Sequence, residues 1–221
     1  MLDALIMTLG FEPGPLISSV AAAAAEGLSE KARIIVLTAA FPDERAERAW
    51  LEFQKVFGMM GIAEKLGVKL ERHEIPLDDM TSAILKIKRV LNELREKSAK
   101  ICITGGMRAL GIALFISYLL VEWRKEPSLS IYLEGRAHAL SLPNIRSFLS
   151  IKLTKAQRDL LRLMESGGVY TSSDLADLTG RDRSTVYRGL QALYKKGLLE
   201  KNERGYKLSR LGELVRDGMQ S

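Results

Sequence analysis

The first 142 residues alternate short apolar runs with longer amphipathic stretches, and this alternation limits the folds open to the chain. Runs of strand length occupy residues 2–9, 33–39, 68–75, 100–104, 129–134 and 138–142. The stretches between the first five runs have the length and periodicity of helices. Strands that alternate with helices are typical of right-handed βαβ units. We therefore predict an α/β fold with a Rossmann-like, mainly parallel sheet covered by helices.

The same pattern predicts where several helices and strands begin and end. The last two runs flank Gly135 and Arg136 and predict a hairpin at the sheet edge. Residues 43–66 read as one long helix with Asp43 as its N-cap. Two further helices are expected to continue to residue 97 and to residue 123.

The last seventy residues follow a different pattern. A short helix is expected to end at Gly180, and a second one to run from near Asp182 to Lys196. The second helix carries an apolar stripe of Val186, Leu190 and Leu193. Two alternating runs around residues 202–205 then predict a wing. This order of elements resembles the MarR-type winged helix-turn-helix.

The other face of the second helix holds hydroxyls, an amide and cations but no carboxylate, which suits a helix lying in a major groove. Residues 151–221 hold 14 Lys and Arg against 9 Asp and Glu, so they account for most of the formal net charge of +6. A role of this domain in protein contact remains the alternative. The predicted DNA contacts, bases first and phosphates last, are Arg183, Ser184, Thr185, Arg188, Gln191, Lys195, Lys196 and Arg204.

Two loops that follow predicted strands are unusual in composition. They are residues 8–15, TLGFEPGP, and residues 104–108, TGGMR. In the second loop, two glycines allow close approach of a ligand and the next helix offers backbone N–H groups to an anion. Arg108 adds a cation and Thr104 a hydroxyl. The glycines could equally serve only a tight strand-to-helix turn. The spacing supports neither a dinucleotide-binding fingerprint nor a P-loop.

Taken together, a first strand ending in T-x-G-F, a later strand ending in T-G-G-M-R and a trailing winged helix resemble the CRISPR-associated Rossmann-fold (CARF) transcriptional regulators. The resemblance implies a homodimer, formed through the N-terminal domain, that senses a cyclic oligoadenylate, typically the tetra-adenylate. A ring of four identical nucleotides has a two-fold axis of its own, which suits a symmetric dimer. The contacts implied at matching positions are Thr8, Leu9, Gly10, Phe11, Thr104, Gly105, Gly106, Met107 and Arg108.

The resulting hypothesis is a CRISPR-associated transcriptional regulator. Residues 1–142 would sense the ligand, residues 143–153 would be a linker, and residues 154–221 would bind double-stranded DNA at a pseudo-palindromic operator. We expect no catalytic activity and no cofactor. Two alternatives are a ring nuclease that uses Arg108 and Thr104, and a regulator that senses another small anion.

Other features narrow the class of protein. The single cysteine, Cys102, cannot form an internal disulfide, and with only two histidines no metal site is expected. The most apolar stretch, residues 109–121, is too short to cross a bilayer of about 30 Å. We therefore expect a cytoplasmic protein with no membrane contact. The scarcity of Asn and Gln hints at an archaeal or thermophilic source.

Overall fold

The computed structural model describes residues 1–132, 139–142, 145–146 and 151–219. The chain divides into two compact units, Met1–Leu142 and Pro143–Ser221. Two clusters of buried side chains belong to the first unit and one to the second. Within the described part of the chain, no helix combines the length and apolar character needed to cross a membrane.

The first unit is built on a six-stranded sheet in the order β3-β2-β1-β4-β5-β6. The first five strands pair in parallel, and β6 pairs with β5 in the antiparallel sense. The predicted Rossmann-like sheet and its antiparallel edge are confirmed, whereas the expected turn at residues 135–136 lies outside the described residues. The strands are β1 Leu2–Thr8, β2 Leu28–Ala39, β3 Lys69–Ile75, β4 Ala99–Ile103, β5 Ser128–Tyr132 and β6 Ala139–Leu142.

Helices cover both faces of this sheet because successive strand residues point to opposite sides. Ile6 and Ile35 pack in the cluster that includes α4 and α5, while Leu5 and Ile34 pack in the cluster that includes α1 and α2. The helices of this unit are α1 Gly14–Glu26, α2 Glu44–Met59, α3 Ile62–Leu66, α4 Met80–Asn92 and α5 Arg108–Leu120.

The single helix expected over residues 43–66 is wrong, because the chain forms α2 and α3 there. Gly61 separates them with a φ of 63°, a left-handed backbone that ends a helix and that glycine adopts without strain. The expected cap at Asp43 is confirmed, since its carboxylate accepts from Arg45 N and Ala46 N. Helices α4 and α5 also stop short of their expected ends, at Asn92 and Leu120.

The second unit has the element order of a winged helix. Its first two helices begin with capping boxes at Thr154 and Thr171, and Asp182 caps the third. Gly180 has a φ of 64° and ends the second helix, as expected. The stripe of Val186, Leu190 and Leu193 is buried in the core. The elements are α6 Lys155–Leu163, α7 Ser172–Thr179, α8 Arg183–Lys195, β7 Leu199–Asn202, β8 Gly205–Leu208 and α9 Arg210–Asp217.

A half-buried ion pair joins β2 to β3 and predicts how the first unit responds to acid. Arg33 donates to both carboxylate oxygens of Glu71 at 2.7 Å, and its remaining nitrogen donates to Glu93 at 2.9 Å. The bonds from Arg33 hold the pKa of Glu71 below its ordinary value. A carboxyl with a lowered pKa stabilises the fold above its unfolded pKa, and this stabilisation is lost as pH falls through the folded pKa.

We expect Glu71→Gln to lower the free energy of unfolding at pH 7 by about 1–2 kcal/mol, because one charge-assisted bidentate contact is lost. The difference from the wild type should shrink as the pH is lowered from 5 toward 3. Glu93→Gln is the control, because Glu93 is more exposed and makes a single bond to the same arginine. Denaturant unfolding as a function of pH measures both variants. Equal losses at pH 7 would contradict the assignment.

Candidate functional site

The two unusual loops meet at the place where the strand order reverses. Within the sheet, β2 lies next to β1 on one side, and β4 lies next to β1 on the other side. Ligands of open α/β sheets bind in the crevice that such a reversal leaves at the carboxyl ends of the strands. The loops after β1 and β4 border this crevice.

A reciprocal pair of threonines joins the two loops. The Thr8 hydroxyl accepts from Thr104 N at 3.2 Å and from Gly105 N at 3.3 Å, and the Thr104 hydroxyl donates to the Thr8 carbonyl. Both side chains are buried. The Thr104 hydroxyl therefore already donates within the protein, and its expected role toward a ligand stays a prediction. The two threonines position the loops.

Two of the glycines are required by the contact between the loops themselves. A Cβ on Gly10 would lie 2.7 Å from Gly106 N, and one on Gly106 would lie 2.4 Å from the Leu9 carbonyl oxygen. Gly106 also has a φ of 95°. Gly105 differs, because a Cβ there would meet Gly10 Cα at an ordinary 3.6 Å. The turn and the contact between the loops thus require glycine at position 106. They do not require glycine at position 105.

Helices α1 and α5 begin at these loops, and within the described chain neither receives a hydrogen bond from a capping side chain. By contrast, α2 and α4 are capped by Asp43 and Asp79. An uncapped helix leaves backbone N–H groups for an outside acceptor, and its dipole favours an anion. α5 offers more donors than α1, because Pro15 lacks an N–H. Arg108, the first residue of α5, is exposed and adds a positive charge.

A cavity of about 380 Å³ opens between the loops. Phe11 lines this cavity and is exposed, and Met107, just before α5, is exposed as well. Leu9 belongs to the hydrophobic core, so it offers the site its backbone only. Glu12 also lines the cavity and is the one carboxylate among the described lining residues. They are Gly10, Phe11, Glu12, Pro15, Thr104, Gly105 and Gly106.

Residues from α2, β2 and β3, most of which the sequence did not single out, lie on the other side of Phe11. Arg72 donates to Glu47 at 2.9 Å and to the Thr38 hydroxyl at 3.2 Å, and its guanidinium lies 5.4 Å from the Trp50 ring. The Glu47 bond raises the pKa of Arg72. Only the strand order puts the ends of β2 and β3 beside β1, so no local signal could have found these residues. A second cavity there includes Thr38, Phe41, Asp43, Glu47 and Arg72 in its lining.

Most of the predicted DNA contacts of the second unit are exposed. Five of them lie on α8, namely Arg183, Ser184, Thr185, Arg188 and Lys195. Arg204 is exposed in the turn between β7 and β8. The Asp182 carboxylate occupies the N-terminus of α8, and its bonds to Ser184 lower its pKa. Because that carboxylate uses the helix N–H groups, phosphate contacts would have to come from side chains.

Gln191 and Lys196 have partners within the unit. The Gln191 amide nitrogen lies 2.7 Å from the Tyr206 hydroxyl and 3.1 Å from the Tyr187 hydroxyl. One end of the amide is therefore engaged, and a bidentate contact with adenine would require both ends. The Lys196 ammonium donates to the Lys152 carbonyl at 2.6 Å and to Gln157 at 3.1 Å. Its expected role in phosphate binding stays a prediction, and that role would require the ammonium to give up these bonds.

Comparisons with known proteins agree with the division into two units. A family model described as the Csa3 CRISPR-associated Rossmann-like domain matches residues 3–143. A second family model, described as the HVO_A0261 N-terminal domain, matches residues 150–221. No curated protein is significantly similar to the chain in sequence.

Among solved structures, the chain is similar to Can2 from Sulfobacillus thermosulfidooxidans in complex with cyclic tetra-adenylate. The two share 13% sequence identity with a TM-score of 0.39. The alignment covers 98% of this chain and 64% of that one, so the chain spans less than two thirds of Can2.

Proposed function

Because the chain belongs to the family of the Csa3 CRISPR-associated Rossmann-like domain, we propose that it is a regulator in which the first unit binds a cyclic oligoadenylate and the second binds DNA. The observation that carries the ligand assignment is the meeting of two glycine-containing loops with two uncapped helix N-termini at the strand reversal. Backbone N–H groups and Arg108 there suit the phosphodiesters of such a ring.

A second copy of the chain supplies the other half of the proposed site. Beyond Arg108, α5 contains no charged residue. Its side chains Ile112 and Leu120 are 53% and 51% exposed, although one face of the helix is packed on the sheet. Pairing of two such apolar faces about a two-fold axis would bring the two loop sets together. A symmetric ring could then contact both copies in the same way.

Calorimetric titration with cyclic tetra-adenylate tests this function. We expect binding of one ring per two chains, and weaker binding of cyclic hexa-adenylate, linear tetra-adenylate and AMP. The stoichiometry follows from the shared two-fold axis. Tight binding of AMP with none of either ring would instead support a sensor of another small anion. One ring per single chain would contradict the shared site.

For the second unit, we propose a MarR-type winged helix that binds a pseudo-palindromic operator in the cytoplasm. The exposed cations of α8 and Arg204 in the wing turn support this assignment. In the proposed dimer, the ligand changes the spacing of two recognition helices and hence their fit to the half-sites. The coupling must be reciprocal. Ring affinity is therefore expected to change when operator DNA is added, and identical affinities would contradict the coupling.

Ligand sensing without catalysis is the function that we propose for the first unit. Cleavage of the ring would require activation of a 2′-hydroxyl, and the Thr104 hydroxyl suggested for that role donates to the Thr8 carbonyl. Incubation with cyclic tetra-adenylate should therefore leave the ring intact. A linear product that forms with the wild type, and not with Arg108→Ala, would support the ring nuclease instead.

A further inference from the structure

Arg45, in the first turn of α2, lies over the side chain of Phe11 in the loop after β1. Its guanidinium carbon is 3.9 Å from the centroid of the Phe11 ring. The Arg45 side chain is 67% exposed, and the Phe11 residue is 49% exposed. Among the described residues, the charged partner of Arg45 is Asp43, and a guanidinium nitrogen lies 3.5 Å from a carboxylate oxygen. An ion pair this long and exposed contributes little to stability, so the fold has little need of Arg45.

The contact connects Arg45 to the ligand loops through a short chain of neighbours. Phe11 follows Gly10, whose backbone touches that of Gly106 in the second loop. Phe11 also lines both cavities of the site. The contact with Phe11 thus brings Arg45 of α2 to the edge of the site.

The nearby arginine in the same region cannot take this role without losing its own contacts. Arg72 is held by Glu47 and by the Thr38 hydroxyl. The guanidinium of Arg45 has no comparable bond among the residues that the structure describes. It is therefore able to leave the Phe11 ring at little cost.

We propose that Arg45 and Phe11 together bind one nucleotide of the ring, an inference that rests on the proposed function. The base stacks on Phe11 in the position that the guanidinium occupies, because nucleobases and guanidinium groups both stack on aromatic faces. Arg45 then turns to the adjoining phosphodiester, which its planar fork of N–H donors fits in a bidentate manner. Stacking on Phe11 would accept any base, whereas the bond from Arg45 requires the negative charge of the phosphate.

The test is calorimetric titration of the full-length variants with cyclic tetra-adenylate. We expect Arg45→Ala and Phe11→Ala each to weaken binding about tenfold, because each removes one contact to the same nucleotide. The double variant should bind more tightly than the product of the two losses predicts, since the contacts are coupled. Arg45→Lys should recover part of the affinity but not all of it, because lysine keeps the charge and lacks the fork.

Arg48→Ala is the matched control, since Arg48 is an exposed arginine one turn further along α2. The affinity of this variant for the ring should stay within about twofold of the wild-type affinity. An exposed charge that does not contact the ligand is screened by salt and has little effect on binding. Arg45→Ala should also unfold thermally at the wild-type temperature, which separates a binding role from a structural one.

Two results would overturn the inference while the proposed function stands: unchanged ring affinity in Arg45→Ala, or losses that multiply fully in the double variant. A wild-type chain that binds no cyclic oligoadenylate would overturn the proposed function and this inference with it.

Discussion

Replacing Gly106 by alanine will destabilise the first unit and abolish binding of the ring. The new Cβ would lie 2.4 Å from the Leu9 carbonyl oxygen, and the residue would have to keep a φ of 95°. Left-handed strain and overpacking together cost about 2–5 kcal/mol. A domain of this size should then unfold about 5–15 °C lower. The loops would have to separate, and the donors of the site would no longer converge.

Gly105→Ala is the control for stability at the neighbouring position. Its Cβ would make an ordinary 3.6 Å contact with Gly10, and its backbone is not left-handed. Differential scanning calorimetry of the full chain compares the two variants, and calorimetric titration of Gly106→Ala measures the loss of ring binding. Equal falls in unfolding temperature would show that the loops are not held together by the contact at Gly106.

Replacing Arg188 by alanine is expected to weaken operator binding by about 100-fold or more, because a bidentate arginine–guanine contact would be lost in both half-sites. Arg188 is exposed in the middle of α8, and its described side-chain partner is the Thr185 hydroxyl at 3.5 Å. Removing it leaves no buried group unpaired. Ring binding should therefore stay at the wild-type level, since the proposed ligand site lies in the first unit.

The matched control is Arg158→Ala, because Arg158 is an exposed arginine of the same unit that lies on α6, beside Val215 and Met219. Electrophoretic mobility shift with operator DNA selected by the wild type compares both variants, and titration with cyclic tetra-adenylate checks the ligand site. If Arg188→Ala binds operator normally, α8 does not lie in the groove. If both variants lose binding equally, the loss reflects total charge.

Local signals predicted most of the secondary structure, because caps and periodicity act over a few residues. The capping box at Thr154 and the left-handed Gly180 formed where expected. The failure at residues 43–66 has the same origin. Apolar periodicity continues through residue 61 and predicted one helix, whereas Gly61 adopts a φ of 63° and separates α2 from α3.

Side-chain roles were less predictable than positions. Thr104, Gln191 and Lys196 stand where the sequence placed them, yet each polar group has a partner inside its own unit. Their partners, Thr8, Tyr206 and Lys152, lie between 15 and 96 residues away. Contacts over such separations depend on how the elements pack, which composition and spacing do not specify.

The sequence by itself determined the two-unit α/β and winged-helix organisation, and it placed the two glycine loops at the ends of strands. Hydrophobic periodicity and turn chemistry are local, so they can be recognised without knowing which elements pack together. Only the tertiary structure decided that the strand order reverses between β1 and β4, so that the loops touch through Gly10 and Gly106. The same packing brought Arg45 onto Phe11. These are contacts between separate elements, and the order of strands in the sheet is what creates them.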